Sequence, residues 1–114
     1  KLGAIELKPR RKFYDYKAKY SKKAKTEHII PVDLSKKNYN KILQIAFKAH
    51  KLIGCKGVTR TDFRLEEDTI LSPYVLELNT NPGLTKTSLI PKLAAFQDIS
   101  YNNLISLIIE DAIC

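Results

Sequence analysis

Residues 57–91, GVTRTDFRLEEDTILSPYVLELNTNPGLTKTSLIP, constrain this chain more than any other stretch. Two strand-like runs, 58–66 and 74–79, flank a polar connection at 67–73. Side chains alternate faces along a strand, so Arg60 and Asp62 point one way, as do Glu77 and Asn79. If the runs pair as antiparallel neighbours, a guanidinium, two carboxylates and an amide oxygen gather on one face. The opposite face then carries Phe63, Leu65, Leu76 and Leu78, the predicted core side of the hairpin. The run Asn79-Thr80-Asn81-Pro82-Gly83 ends the second strand abruptly.

Two readings of the polar face stay open from spacing alone. Carboxylates with an amide oxygen and no nearby His or Cys favour a hard cation, Mg²⁺ or Mn²⁺, over zinc. Mg²⁺ takes few protein oxygens and completes its octahedron with water and phosphate. The plainer reading is an edge hairpin with a solvated charged face. The Asn-Pro-Gly turn immediately after Glu77 and Asn79 shifts the balance towards a site, because such turns are used to position groups.

At 114 residues the chain holds one domain with a modest core. No apolar run reaches the roughly 18–20 residues that span a bilayer, so no membrane partner is expected. The sequence contains no Met and is read as a piece of a longer protein. Cys55 and Cys114 are lone thiols without a C-x-x-C pattern, as in a reduced cytosolic protein. His28 and His50 read as structural or solvated. Of the net charge of +8, most lies in residues 1–30, where 10 Lys or Arg face only Glu6, Asp15 and Glu27. With Phe13, Tyr14, Tyr16 and Tyr20 interleaved, that quarter reads as a nucleic-acid footprint, a solvated loop, or a lid over nucleotide phosphates.

Taken in order, residues 2–7 are a predicted strand, broken by Pro9. Residues 11–26 lack apolar periodicity and read as a loop, of a length usually functional or disordered. A brief strand is predicted at 28–32. Ser35 then caps the clearest helix, with Ile42, Ile45, Ala46, Ala49, Leu52 and Ile53 on its apolar face and Gly54 as its stop. A shorter helix is predicted over 88–97, with Pro91 tolerated in its first turn. Ser100 caps a last helix whose predicted buried stripe is Leu104, Leu107, Ile108 and Ala112. The order gives an α+β class, a mainly antiparallel sheet with flanking helices.

RTDF, LELNTNPGLTKTSLIP and, upstream, FYDYKAKY closely resemble the D-alanine–D-alanine ligases, members of the ATP-grasp group. The resemblance runs from about residue 5 to residue 107, and it implies the C-terminal part of an ATP-grasp fold. LELNTNPG is common to ATP-grasp enzymes broadly; FYDYKAKY and the T-x-T-S-L-x-P run narrow the match to the dipeptide ligases. By this resemblance Asp62, Glu77 and Asn79 bind two Mg²⁺ (or Mn²⁺) ions that grip the phosphates of ATP. Arg60 contacts the transferred phosphoryl group, and the Gly83 N–H helps form the oxyanion site. Ser88 and Leu89 hold the carboxylate of the second D-alanine. Ser88 also stands where a helix begins, which by itself is compatible with a simple cap or with a carboxylate site. Lys19 and Tyr20 match the lid pair, Lys19 reaching the γ-phosphate and Tyr20 closing over the acceptor and favouring an amine. Arg64 departs from the pattern: relatives usually carry an apolar residue of the adenine pocket there, and Arg64 either stacks on the purine or marks a different local pocket.

The implied reaction is ATP-dependent joining of two D-alanines through an acyl phosphate, for peptidoglycan synthesis, in a cytoplasmic protein that is a homodimer at full length. The family's N-terminal domain and first ATP-grasp half have no counterpart in these residues, so the 114 residues alone are expected to be inactive. Two alternatives remain: another ATP-grasp carboxylate–amine ligase, and a nucleic-acid-binding module built on the basic residues 8–25.

Overall fold

A computed structural model describes residues 1–8, 26–66 and 72–113. They form two units, one of residues 4–33 and one of residues 1–3 with 34–114.

In the smaller unit β1 (Glu6–Lys8) pairs antiparallel with β2 (Glu27–Ile29), Leu7 opposite His28. The strand predicted at 2–7 is displaced towards its end, because Leu2 belongs to the larger unit and packs on that unit's core. The proposed lid at 11–26, with Lys19 and Tyr20, lies outside the described residues except for Thr26.

The larger unit opens with α1 (Lys36–Ile53), and both its ends follow from the sequence. Ser35 Oγ accepts from the Asn38 N–H at 3.2 Å, closing the first turn. At the other end Gly54 adopts φ 74°, its N–H donating to Lys51 O and that of Cys55 to His50 O. This paired closure is the Schellman arrangement, which needs a left-handed residue. Ile42 is buried on the inner face. The apolar stripe stops earlier than predicted: Leu52 is 76% exposed and Ile53 is exposed too, since the last turn overhangs the packed part of the unit. His50 Nδ1 lies 2.9 Å from Thr59 Oγ1 and fastens the end of α1 to the entry of the next strand.

β3 (Arg60–Leu65) and β4 (Pro73–Asn79) form an antiparallel pair; most of their connection, residues 67–71, is outside the described residues. The register runs Arg60↔Asn79, Thr61↔Leu78, Asp62↔Glu77, then Phe63↔Val75. Leu76 is therefore an extra residue, a β-bulge. A one-residue slip reverses which face a side chain takes. Simple alternation put Leu76 in the core; beyond the bulge Val75 stands opposite Phe63, and Leu76 is 65% exposed. The class is α+β as expected, with the described strands in two separate antiparallel pairs.

α2 (Leu89–Phe96) and α3 (Tyr101–Ala112) close the unit. Ile90, Ala94 and Leu104 make the buried cluster, with Leu2, Val58, Leu84, Ile99 and Ile108 packed on it. Ser100 Oγ caps α3 by accepting from the Asn103 N–H at 3.2 Å. On α3 only one narrow line faces inward: Leu104 is buried and Ile108 half-buried, while Leu107 and Ala112 are exposed, contrary to the predicted stripe. The Gly57 N–H donates to Asp111 Oδ2, tying the approach to β3 to the end of α3.

No atom lies within 4 Å of a Cβ built on Gly54, so replacing it strains the backbone alone. Gly54→Ala is expected to lower stability by about 1 kcal/mol, read as a shift of the urea midpoint without a change of slope.

Candidate active site

The register that sets Asp62 opposite Glu77 places two carboxylates side by side on one face of the hairpin. Like charges directly opposite destabilise a strand pair. Arg60, two residues before Asp62 and on the same face, answers this. Its Nε donates to Asp62 Oδ1 at 2.7 Å and its Nη2 to Asp62 Oδ2 at 3.1 Å, a two-pronged contact. Nη2 also donates to Glu77 Oε1 at 3.3 Å. The guanidinium thus bridges both carboxylates, with Arg60 24%, Asp62 32% and Glu77 58% exposed at the side chain.

Asn79 stands opposite Arg60, and its Oδ1 accepts from the Asn81 N–H at 2.9 Å. That local bond starts the turn that ends β4 and leaves one lone pair of the amide oxygen for another partner. Arg64 continues the same face beyond Asp62, opposite Tyr74, and is exposed. The Tyr74 hydroxyl donates to Glu66 Oε1 at 3.0 Å, so the far end of the hairpin is held separately from the Arg60 cluster.

All the donors gathered here are oxygens, the set that suits a hard cation. Among the described residues no three His, Cys, Asp or Glu side chains come together as a metal group. An ion held by Asp62, Glu77 and Asn79 would take its remaining ligands from water or phosphate, as Mg²⁺ does, and would have to displace Arg60 from carboxylate oxygens.

The turn carries the chain to the second half of the site. Gly83 leaves room for Ser88: a Cβ built on it would fall 3.0 Å from Ser88 Oγ and 3.6 Å from Ser88 Cβ. Ser88 takes the N-cap position of α2, its carbonyl accepting from the Lys92 N–H, yet its side chain makes no cap bond. Ser35 and Ser100 both cap through the N–H three residues on. For Ser88 that residue is Pro91, which has no N–H. The Ser88 hydroxyl instead lies 2.6 Å from Thr85 Oγ1, and the Ser88 N–H donates to Thr85 O at 2.9 Å. By helix geometry the N–H groups of Leu89 and Ile90 have no partner inside α2. The cap reading of the Ser88 side chain is thus set aside, and its hydroxyl joins two backbone donors at the helix start.

Thr85 and Tyr101 were not singled out by their residue types alone. Tyr101 donates its hydroxyl to Leu84 O at 2.8 Å, and Lys86 Nζ stands 5.9 Å from the centre of its ring. For Thr85 the available signal is the spacing T-x-x-S-x-x-P, in which the proline removes the cap donor. Tyr101 offers no comparable signal, because its contact spans 17 residues. Lys19 and Tyr20 cannot be placed, lying outside the described residues.

The fold is that of the C-terminal part of an ATP-grasp ligase, shared with the solved structures named below. The chain matches the family model of the D-ala D-ala ligase C-terminus over residues 2–110 and belongs to that family. It is 60% identical over 111 residues to the D-alanine–D-alanine ligase of Pelagibacter ubique (strain HTCC1062), covering 97% of this chain and 36% of the relative. With the ligase of Agrobacterium fabrum (strain C58) the identity is 45% over 116 residues, covering 99% and 37%. Among solved structures, the D-alanine–D-alanine ligase of Bacillus anthracis complexed with ATP superposes with a TM-score of 0.73 at 26% identity, over 96% of this chain and 33% of that one. A second structure of that enzyme gives 0.74 at 32% identity, over 94% and 34%. The chain therefore spans about a third of the length of the relatives it matches.

Removing the guanidinium should expose the repulsion it masks. Arg60→Ala is expected to destabilise the fold by about 1 kcal/mol or less in chelator, and by clearly less with millimolar Mg²⁺. Paired thermal melts measure the difference.

Proposed function

We propose that the full-length protein joins two D-alanines at the expense of ATP, through an acyl phosphate, to give D-alanyl-D-alanine for peptidoglycan synthesis. The observation that carries this reading is the Arg60–Asp62–Glu77 cluster, set directly before the Gly83–Ser88 contact in a chain of this family. Asp62, Glu77 and Asn79 would hold two Mg²⁺ (or Mn²⁺) ions, which supply positive charge against the phosphate oxygens of the nucleotide. Arg60 adds a fixed cation beside the transferred phosphoryl group, where charge builds on oxygen in both the phosphoryl and the acyl step.

The acceptor end belongs to the turn and α2. Ser88 and the Leu89 backbone bind the carboxylate of the second D-alanine, holding its amine towards the acyl phosphate. The Gly83 N–H donates to the oxygen that becomes negative as the amine attacks. Lys19 and Tyr20 are assigned to a lid that reaches the γ-phosphate and excludes water from the acyl phosphate. Arg64 is assigned to the purine face. Because the family match covers residues 8–25, their basic charge is read as part of this lid and not as a nucleic-acid footprint.

The 114 residues span about a third of the length of the relatives they match, so alone they are expected not to turn over. No helix among the described residues is long and apolar enough to cross a membrane. A cytoplasmic homodimer is the proposed setting of the full-length protein.

The test is dipeptide formation by the full-length protein from D-alanine, ATP and Mg²⁺, beside its Glu77→Gln variant. The expected result is D-alanyl-D-alanine from the parent and a loss of roughly a hundredfold or more in the variant. ATP turnover only with some other amine acceptor would overturn the substrate assignment. No ATP-dependent ligation with any acceptor would overturn the enzyme reading.

A further inference from the structure

Among the described residues three serines begin helices, and one of them keeps its hydroxyl out of the helix. Ser35 and Ser100 each accept from the backbone N–H three residues on, at 3.2 Å. Ser88 has the same backbone role, but Pro91 at the third place has no N–H to give and the Ser88 side chain makes no cap bond. A serine hydroxyl released in this way would ordinarily sample its rotamers. Here it is held, 2.6 Å from Thr85 Oγ1, and the Ser88 N–H is held by the carbonyl of the same threonine. The space beside it is kept by Gly83, on which a Cβ would stand 3.0 Å from Ser88 Oγ.

We propose that Thr85 is a positioning residue for the acceptor carboxylate, orienting the Ser88 hydroxyl that makes no helix cap. This rests on the reading of Ser88 and Leu89 as the acceptor subsite. A hydroxyl has one proton to donate and two lone pairs to accept with. To donate to a carboxylate, Ser88 must accept from its neighbour, so the short contact is resolved with Thr85 donating to Ser88 Oγ. The chain Thr85 O–H to Ser88 O–H to carboxylate polarises in one direction, and each link strengthens the next. Thr85 touches neither the substrate nor the reacting atoms; it acts through Ser88. The loop that carries it is anchored independently, by the Tyr101 hydroxyl on Leu84 O and by Leu84 packing on the core. A change at Thr85 is therefore local.

The role makes a specific demand on kinetics. Losing the Thr85 hydroxyl should weaken binding of the second D-alanine and leave ATP binding and the chemical step nearly alone. In the full-length enzyme, Thr85→Val keeps the branched shape and removes the hydroxyl, while Thr85→Ser keeps the hydroxyl. The expected result for Thr85→Val is an increase of about tenfold in the KM of the second D-alanine, with kcat and the KM of ATP within about twofold of the parent. Thr85→Ser should restore the parent value. Thr85→Val in a Ser88→Ala background should add nothing further, since its effect runs through Ser88. An unchanged KM for the second D-alanine in Thr85→Val would overturn the assignment. A parallel fall in kcat and rise in every KM, not repaired by Thr85→Ser, would overturn it as well. If the parent makes no dipeptide, the acceptor reading itself has failed, which is distinct from a parent that ligates and is indifferent to Thr85.

Discussion

Two carboxylates directly across an antiparallel ladder repel each other, and β3 and β4 accept Asp62 opposite Glu77 because Arg60 stands between them. The arrangement is local in origin. The period of two along a strand puts Arg60 and Asp62 on one face, and the antiparallel register brings Glu77 to the same place. What results is a cluster of one guanidinium and two carboxylates, half open to solvent and left with a net charge of −1, whose bridging group is a side chain that can rotate away. On the proposed function, a divalent ion arriving with phosphate oxygens would compete for the same carboxylate oxygens and would free the guanidinium for the phosphoryl group, so that counter-ion and phosphoryl ligand would be one residue in two settings.

The other half of the site depends on the same packing. Val58 just before β3, Leu84 in the turn and Ile90 in the first turn of α2 all belong to one apolar cluster with Ala94 and Leu104. The carboxylate face of the hairpin and the donor-rich start of α2 are thus set by a common core. Three residues separate Asn79 from Gly83, too few for the two halves to drift apart. The two halves differ electrostatically: the strands gather negative charge, and the helix start gathers backbone donors.

Much of this is legible in the residues. The alternation through RTDF and LELN gives the Arg60, Asp62, Glu77, Asn79 face, and Ser35, Gly54 and Ser100 mark helix ends that the structure keeps. What the pattern misses has physical reasons. The bulge at Leu76 reverses alternation for the first half of β4, and no residue type there announces an inserted position. Leu52, Ile53 and Leu107 have the right spacing for burial but face outwards, because periodicity gives a stripe and cannot say where the covering surface ends. The Ser88 cap was left undecided by residue type; the Pro91 three places on, also present in the sequence, decides it. Lys19 and Tyr20 rest on the family resemblance alone, since they lie outside the described residues.

The most direct measurement is a crystal structure of the full-length protein with Mn²⁺ and a non-hydrolysable ATP analogue, using the anomalous signal of manganese. The result expected is manganese at about 2 Å from carboxylate oxygens of Asp62 and Glu77, with the Arg60 guanidinium released from at least one of them and turned towards the γ-phosphate. Manganese bound elsewhere, with Arg60 still holding Asp62 through both nitrogens, would contradict the idea that this cluster is a cation site held in readiness by an arginine.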